Sequence, residues 1–414
     1  MSADSETRCL ALVGFTISRE VLDGLLEVEP YPPVQTCRFA WAMLDALAAG
    51  LQPWQVDGLS SLPISPYPHN PRVLVGLKRL TSPLCRSLRI LPFVNLPVLR
   101  STTRLASMTC ALAAWCCATW RDDRRAILLH GTTSSHVCAA WVIAVILRVP
   151  LIVILTDPPS MPLVRDSRIN GRCRSLDRMI QRAMLRCADG VVALAPRLAV
   201  DFAPGKPTLI LDGILSNELA AMPQQIRKRR EVGSPFVVMY AGGLLEEYGV
   251  AALLDAFSLL PREKFRLVIA GGGPLRDAIR DRASRDTQIE YQGLLGQQAL
   301  WTSMCSADLL INPRPSGTAL SEYSFPSKTL EYLATGTPLL STKFEAMSNE
   351  YTDVMLTLEY HDAAGIALAL QQAAAASPER LRELGVAGRQ FVLSTRAPGS
   401  QGTRLCEFLD SLTS

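Results

Sequence analysis

The sequence predicts a protein of the α/β class with two domains, each built around a doubly wound sheet. The length of 414 residues exceeds what one ordinary core needs, and two domains of about 200 residues are the usual solution. Short apolar runs that suit buried strands alternate along the chain with longer amphipathic segments that suit helices. Hydrophobic residues make up 48% of the chain and charged residues 19%, which is typical of globular proteins and argues against a disordered chain.

The first half contains apolar runs that predict parallel strands, because the central strands of a parallel sheet are buried on both faces. These strands are predicted at residues 10–15, 126–130, 151–155, 190–195 and 209–211, with an amphipathic helix at 39–49. Residues 136–155 are apolar over about the length of a membrane span, but Arg148 and Pro150 interrupt them. The favoured interpretation is a buried helix at 137–147, a turn and the strand at 151–155, with a membrane span as the alternative.

The boundary between the domains is predicted in the basic segment 219–234, whose Pro and Gly residues are typical of a linker. We accordingly assign residues 1–225 to the first domain and 226–395 to the second. Residues 1–225 contain 23 Lys and Arg against 17 Asp and Glu, whereas residues 226–414 contain 19 against 21. The halves therefore carry charges of +6 and −2, and such asymmetry can mark an anionic surface or substrate at the first half.

In the second half, residues 309–336 have the composition of a phosphate-binding unit. An apolar strand at 309–312 is followed by a Pro-rich loop with Arg314, and then by a helix that Ser327 introduces and Lys328 begins. Arg314, Lys328 and the helix N-terminus are thus expected to lie close together, where they can bind a phosphate group. Glu331, one turn further, can accept hydrogen bonds from sugar hydroxyls. The alternative is an ordinary strand–loop–helix unit with a surface Arg and Lys.

Two glycine turns precede this segment and are predicted to follow strands. A strand from residue 236 runs into Gly242 and Gly243, and a helix at 250–260 follows, which is the geometry of a phosphate cradle. A second strand at 265–270 runs into Gly271 and Gly273. For both turns the alternative is turn chemistry without a ligand.

Residues 312–315 (NPRP), 323–328 (YSFPSK) and 331–338 (EYLATGTP) together resemble a donor-binding signature. It is that of retaining, nucleotide-sugar-dependent glycosyltransferases of the two-Rossmann (GT-B) architecture, of family-4 type, in the bacterial branch of capsular and exopolysaccharide enzymes. The resemblance is firm over about residues 236–360 and looser in the first half. It implies two Rossmann-like domains with a cleft between them, an acceptor site in the first and a nucleotide-sugar site in the second. It also implies that residues 396–414 form a helix returning to the first domain.

The resemblance assigns roles to several of these residues. Arg314, Lys328 and the helix N-terminus at Ser327 would stabilise the departing nucleoside diphosphate, so that neither a metal nor another cofactor is required. Glu331 would bind the ribose, and the backbone at Leu294 would pair with the nucleobase. Gly242, Gly243, Gly271 and Gly273 would let the backbone approach the donor.

The chain also departs from the family pattern at two places. Gly243 and Tyr248 stand where many members carry an Arg and a Lys, which puts the diphosphate contacts of the first turn in doubt. Glu322 lies one residue away from the position of the family's first carboxylate. This mismatch leaves the transferred sugar undefined.

On the acceptor side, three polar residues follow predicted strands. Asp157 comes after the strand at 151–155 and is the candidate for contacting the acceptor or the transferred sugar. His130 ends an earlier strand, and Thr133 lies in the polar loop after it. For His130 and Asp157, structural roles as a hydrogen-bonded strand end or a helix cap are the alternatives.

Four arginines, Arg174, Arg178, Arg182 and Arg186, repeat every four residues along a predicted helix. Such a row can rest on an anionic membrane surface, which suits a lipid-linked acceptor, or it can be a solvated helix face. The low aromatic content and small net charge argue against nucleic acid as a partner. With no secretory signal at the N-terminus, we expect a cytoplasmic protein, peripheral at the inner face of the plasma membrane if the row binds lipid.

The sequence therefore predicts a glycosyltransferase, of hexosyltransferase type, that moves a sugar with retention from a nucleotide-diphosphate donor to a glycan or lipid-linked acceptor. Polysaccharide or glycoconjugate biosynthesis is the expected context. Two alternatives stay open. One is a non-catalytic assembly partner of the same fold, motivated by the missing cations at the first turn. The other is a related enzyme of the same fold, such as a nucleotide-sugar epimerase.

Overall fold

The computed structural model describes residues 6–29, 34–97, 99–131, 133–159, 168–224 and 233–413, with the backbone alone for 168–177, 319 and 320. The chain divides into two compact units. Unit 1 comprises Met1–Ser216 and Pro398–Ser414, and unit 2 comprises Asn217–Ala397.

Unit 1 is built around an eight-stranded sheet with the order β10-β9-β8-β7-β1-β2-β5-β4, in which only β4 is antiparallel to its neighbour. Its elements are β1 (Arg8–Gly14), α1 (Arg19–Leu26), α2 (Val34–Ala49), β2 (Gln55–Ser60), β3 (Leu74–Val75), β4 (Lys78–Leu80), β5 (Ser87–Ile90), β6 (Phe93–Val94), α3 (Leu99–Ala118), β7 (Arg124–His130), α4 (Ser134–Leu147), β8 (Leu151–Leu155), α5 (Arg168–Cys187), β9 (Gly190–Ala193), α6 (Pro196–Phe202) and β10 (Thr208–Ile210). The short strands β3 and β6 pair in a separate ribbon.

Unit 2 is built around a six-stranded parallel sheet with the order β13-β12-β11-β14-β15-β16. Its elements are α7 (Asn217–Ala220), β11 (Phe236–Ala241), α8 (Val250–Ser258), β12 (Phe265–Ala270), α9 (Arg276–Arg285), β13 (Ile289–Gly293), α10 (Gln297–Ser306), β14 (Leu309–Asn312), α11 (Ala319–Tyr323), α12 (Lys328–Thr335), β15 (Leu339–Thr342), β16 (Leu356–Leu358), α13 (Ala363–Ala375) and α14 (Pro378–Thr395). The last helix of the chain, α15 (Pro398–Thr413), belongs to unit 1.

The predicted α/β class is confirmed, and burial explains why the apolar runs form strands. Every residue of β8 and β14 is buried, as expected for central strands with helices on both faces. The apolar stretch at 136–155 forms α4 and β8, separated by a turn that contains Arg148 and Pro150. Among the described residues, the helices lack the length and apolarity that crossing a membrane requires.

The C-terminal helix is held by the core of unit 1. Leu405, Cys406 and Leu409 of α15 are fully buried against Leu44 and Leu47 of α2. The helix begins at Pro398, within the segment 396–414 that the resemblance implied to be helical.

The structure places the division between the units earlier than the sequence analysis did, at 216/217 instead of 225/226. Residues just after the division contact unit 2. Arg389 Nη2 donates a hydrogen bond to the carbonyl of Met222 (2.7 Å), and Trp301 Nε1 donates to that of Pro223 (3.4 Å). Residues 225–232 of the expected linker lie outside the described residues.

Candidate functional site

In unit 2 the order of strands changes direction between β11 and β14. From β11 the chain adds β12 and β13 on one side of the sheet, and it then adds β14, β15 and β16 on the other. Ligands of such sheets bind beyond the carboxyl ends of the strands at this switch point. The first glycine turn follows β11, and the loop with Arg314 follows β14. The predicted donor residues therefore lie at the position where the topology itself favours a ligand.

At the carboxyl edge of the unit 2 sheet, glycines allow the loops after β11, β12 and β14 to make direct backbone contact. Gly271 has a φ of +143°, and a Cβ there would overlap the carbonyl oxygen of Gly242. Gly249 has a φ of +74°, and its Cβ would overlap the carbonyl oxygen of Pro313. The nitrogen of Leu244 also donates to the carbonyl of Gly272 (2.9 Å). These glycines therefore serve close packing of the loops, and the same absence of side chains leaves backbone available to a ligand.

Gly273 and Gly243 take part in the same arrangement. A Cβ on Gly273 would lie 2.6 Å from the carbonyl oxygen of Leu244. The hydroxyl of Tyr240, on β11, donates a 2.7 Å hydrogen bond to the carbonyl of Gly243 and so fixes the first turn to its own strand.

Arg314 is a buried cation that forms no ion pair within the described residues. The residue is 7% exposed, and its guanidinium carbon lies 5.4 Å from the ring centroid of Tyr248 and 5.6 Å from that of Phe344. Its Nε and Nη2 atoms are buried and make no hydrogen bond. No carboxylate within the described residues forms an ion pair with it. Burial lowers the pKa of the guanidinium, and the longer-range attraction of Glu247 opposes that shift only in part. Such a group is costly unless an anion pairs with it.

Lys328 begins α12, and its ammonium lies 2.7 Å from the carboxylate of Glu331. Both side chains are partly exposed, and exposed ion pairs contribute little free energy, so a ligand can replace either partner at low cost. Ser327 precedes the helix, is exposed and makes no capping hydrogen bond. The backbone N–H groups of the first turn are therefore not capped by its side chain.

Two tyrosines that the sequence analysis did not assign to the site connect these segments. The buried hydroxyl of Tyr332, on α12, accepts a hydrogen bond from the nitrogen of Ala241 and donates one to its carbonyl, each at 2.8 Å. It thereby fixes α12 to the end of β11. Tyr248, which stands where many family members carry a Lys, places its ring beside the guanidinium of Arg314. A Tyr within a helix looks like a core residue, so Tyr332 gave no signal in the sequence.

Leu294 and Glu322 lie at the margins of this region. Leu294 is 83% exposed immediately after β13, with its side chain next to Gly272 of the second turn. Glu322 lies half-buried on the short helix α11.

The predicted acceptor-side residues lie at the corresponding edge of unit 1. His130 is the last residue of β7, where the strand order of unit 1 changes direction between β7 and β1. Its ring packs against Phe39, with 5.2 Å between the centroids, and burial lowers its pKa to about 4. Thr133 precedes α4 without a capping hydrogen bond from its side chain. Asp157 is exposed two residues after β8.

The predicted arginine row lies on α5. Arg178, Arg182 and Arg186 are exposed, together with Met179, whereas the side chain of Arg174 lies outside the described residues. The end of α4, which packs beside α5, exposes Val145, Ile146 and Leu147. Cationic and apolar side chains are thus both exposed on these neighbouring helices. Among the described residues, no group of three His, Cys, Asp or Glu side chains is placed to hold a metal ion.

Residues 235–375 match the family model described as "Glycosyl transferases group 1". The matched residues all lie within unit 2. A curated protein, the alpha-monoglucosyldiacylglycerol synthase of Streptococcus pneumoniae, is 26% identical over 174 residues. This similarity covers 41% of the chain and 37% of that protein, so it extends over less than half of the relative's length.

Solved structures resemble the chain over nearly its whole length. Sucrose-phosphate synthase from Thermosynechococcus elongatus has a TM-score of 0.63 at 16% identity, with 98% of this chain and 99% of that chain covered. Alr3699/HepE of Anabaena in complex with UDP has a TM-score of 0.56 at 14% identity, with coverages of 97% and 100%. At identities this low the structural similarity establishes the fold alone, which is the GT-B architecture.

Proposed function

We propose that the protein is a nucleotide-sugar-dependent glycosyltransferase of family-4 type that transfers a sugar with retention to a glycan or lipid-linked acceptor. The observation that carries the proposal is Arg314, a buried and unpaired guanidinium at the switch point of the unit 2 sheet. A diphosphate supplies the negative charge that this position lacks. The match of residues 235–375 to group 1 glycosyl transferases supports the same conclusion.

In the proposed reaction the bond between the sugar and the diphosphate breaks, and negative charge accumulates on the leaving nucleoside diphosphate. Arg314 stabilises that charge from a desolvated position, where charge–charge interactions are strong. Lys328 leaves Glu331 and binds the same group, assisted by the positive end of the α12 dipole; the nitrogens of Thr329 and Leu330 already donate to the carbonyls of Pro326 and Ser327. Glu331 is then free to accept hydrogen bonds from the ribose. Since these groups are organic cations and dipoles, the proposed mechanism requires no metal.

The acceptor and the membrane are part of the proposal. The curated relative is named as a synthase of a glycosylated diacylglycerol, and the exposed arginines of α5 suit anionic lipid headgroups. We therefore favour a lipid-linked acceptor and a cytoplasmic protein that binds the membrane peripherally. Asp157, His130 and Thr133 are the proposed acceptor-side contacts.

The membrane proposal is tested by co-sedimentation with liposomes. Each Arg near an anionic surface contributes about 1 kcal/mol, so replacing Arg174, Arg178, Arg182 and Arg186 by Gln should largely abolish binding to anionic vesicles. Binding should also weaken as salt rises. Replacing Val145 and Ile146 by Ser tests the neighbouring apolar residues. Equal binding of the wild-type protein to neutral and anionic vesicles, or no binding, would favour a soluble acceptor.

One observation favours a non-catalytic partner of the same fold, namely that Gly243 and Tyr248 replace two expected cations. The two possibilities differ in donor turnover. A thermal-shift panel of nucleoside diphosphates and their sugars identifies the donor, because a ligand at 100 times its Kd adds about 2.7 kcal/mol of stability. The enzyme should then release nucleoside diphosphate in the presence of EDTA, and NMR of the product should show the anomeric configuration of the donor. Stabilisation by a donor without any turnover would favour the non-catalytic alternative, and epimerised donor would identify an epimerase.

A further inference from the structure

Unit 1 contains two further arginines that form no ion pair in the part of the chain that the structure describes. Arg100 and Arg104 are one turn apart on α3, and Arg104 is 5% exposed. The guanidinium carbon of Arg104 lies 4.1 Å from the ring centroid of Phe93 and 5.9 Å from that of Phe15. Like charges one helical turn apart repel each other, and burial increases the cost. The position of both arginines therefore needs a reason.

Their hydrogen bonds within the protein use little of their donor capacity. Arg104 Nη2 donates to the carbonyl of Leu62 (2.9 Å), and Arg100 Nη2 donates to that of Ile64. The Nε atoms of both arginines are buried and without a partner. Neither side chain forms an ion pair with a carboxylate in the described part of the chain. Most of the five N–H donors of each guanidinium therefore make no hydrogen bond within the described residues.

The carboxylate of Glu29, which acts on Arg100, already accepts hydrogen bonds from neutral donors. Glu29 influences Arg100 electrostatically, but its oxygens accept hydrogen bonds from the nitrogen of Ser65 (3.0 Å), the hydroxyl of Ser65 (2.7 Å) and the amide of Asn70. Two guanidinium groups against one carboxylate leave an excess of one positive charge. Burial and the neighbouring Arg100 lower the pKa of Arg104 to about 9, so the group stays charged at neutral pH.

Other polar atoms without partners come from the same edge of the sheet. Thr16 Oγ1, Ser60 Oγ and His136 Nδ1 are buried and make no hydrogen bond. These residues follow or end β1, β2 and β7, three adjacent strands, at the switch point of the unit 1 sheet. Phe15 connects them to the arginines, because its ring contacts both His136 (5.0 Å between centroids) and Arg104. A ligand beyond the carboxyl ends of these strands would occupy the usual position for a doubly wound sheet.

We propose that Arg104 and Arg100 bind an oxyanion carried by the acceptor, either a phosphate or a carboxylate, at the carboxyl edge of β7, β1 and β2. The inference rests on the proposed glycosyltransferase function and adds that the accepting part of the acceptor is an acidic sugar or a sugar phosphate, whether or not a lipid is attached to it. A guanidinium pairs well with both groups, because its donors match two oxygens at once. The excess positive charge of the first half of the sequence agrees with this assignment.

The test is calorimetric titration of the full chain with glucose 6-phosphate, glucuronate and neutral glucose, after UDP or the nucleotide chosen by the panel has saturated the donor site. We expect saturable binding of at least one acidic sugar and at least about tenfold weaker binding of glucose. Arg104→Met should lose that difference, whereas Arg121→Met, at an exposed position beyond the end of α3, should keep it. Arg314→Met, titrated without nucleotide, should retain the binding of the acidic sugar.

Comparison of glucose 6-phosphate with glucuronate identifies which oxyanion the acceptor carries. Preference for glucose 6-phosphate indicates a phosphorylated acceptor, and preference for glucuronate indicates an acidic sugar. If Arg104→Met fails to fold, two other variants replace it. Arg100→Met should weaken binding of the acidic sugar, and the charge-conserving Arg104→Lys should retain it. Equal or absent binding of all three sugars to the wild-type protein would overturn the proposal, as would unchanged binding in a folded Arg104→Met. Because nucleotide binding is measured separately, failure here leaves the donor site intact.

Discussion

Arg314 in unit 2 and Arg104 in unit 1 have nearly the same surroundings. Each is almost fully buried, each lies between two aromatic rings, and each has a buried Nε without a partner. Each also lies near the switch point of its sheet. The two regions differ in how the chain builds them. Arg314 stands in a continuous segment together with Lys328, whereas the residues around Arg104 come from separate segments that folding brings together.

This difference explains why the Arg314 region was predicted from the sequence and the Arg104 region was not. The loop after β14, the start of α12 and the end of that helix at Gly336 follow one another in sequence, so spacing alone predicts their proximity. Arg104, Ser60 and His136 share no local pattern, and their relation depends on the strand order. An arginine on an apolar helix carries no sign that it lacks a counter-ion. That property becomes visible only when burial and hydrogen-bond partners are known.

The same reasoning applies to the fold. Long apolar runs such as β8 and β14 were predicted at the correct residues, because buried parallel strands have a strong signal. The sequence analysis predicted no strand between residues 50 and 123, where β2 to β6 lie. Four of these five strands have two to four residues, which is too short for a period to be recognised. Tyr332 was missed as a link between α12 and β11 for a related reason, since its role depends on a partner 91 residues away.

Lowering the pH should destabilise unit 1 more than unit 2, because His130 and His136 of unit 1 are fully buried, whereas His361 of unit 2 is only partly buried. Burial lowers the pKa of His130 to about 4 and that of His136 to about 3. Between pH 6.5 and 4 the unfolded chain therefore binds more protons than the folded one. The free energy of unfolding should fall as pH decreases, by about 1.4 kcal/mol per pH unit for each histidine.

Urea denaturation at pH 7, 6 and 5 measures this dependence. His136→Gln should have a shallower dependence than the wild-type protein, because one of the two histidines no longer titrates. The exposed His69→Gln is the matched control and should follow the wild type. Parallel curves for His136→Gln and wild type would show that His136 is not held neutral by burial.

Substitution of Lys328 tests whether the start of α12 contributes to binding of the donor diphosphate. Lys328→Ala should weaken nucleoside diphosphate binding by about 1.5–3 kcal/mol, the range for a hydrogen bond to a charged group. Lys264→Ala removes an exposed cation at the start of β12, at the opposite edge of the sheet, and should have no effect. Calorimetry measures both. Unchanged affinity in Lys328→Ala would remove the start of α12 from the site.

Glu331 should have a smaller and different effect. If its carboxylate binds the ribose, Glu331→Gln should weaken the nucleoside and the nucleoside diphosphate by similar factors, about tenfold or less. Lys328→Ala, by contrast, should weaken only the diphosphate. The comparison of the two ligands separates ribose contacts from phosphate contacts. Intact nucleoside affinity in Glu331→Gln would end the ribose assignment.

We propose that Arg314 forms no ion pair within the described residues because the donor diphosphate supplies its counter-ion. The most direct measurement is calorimetric titration of UDP, or the nucleotide chosen by the panel, into wild type, Arg314→Met, Arg104→Met and Arg262→Met. Arg262 is exposed at the far edge of the unit 2 sheet and serves as the control. We predict that Arg314→Met loses at least about tenfold in affinity while the other two variants bind like the wild type. Wild-type affinity in a folded Arg314→Met would contradict the claim.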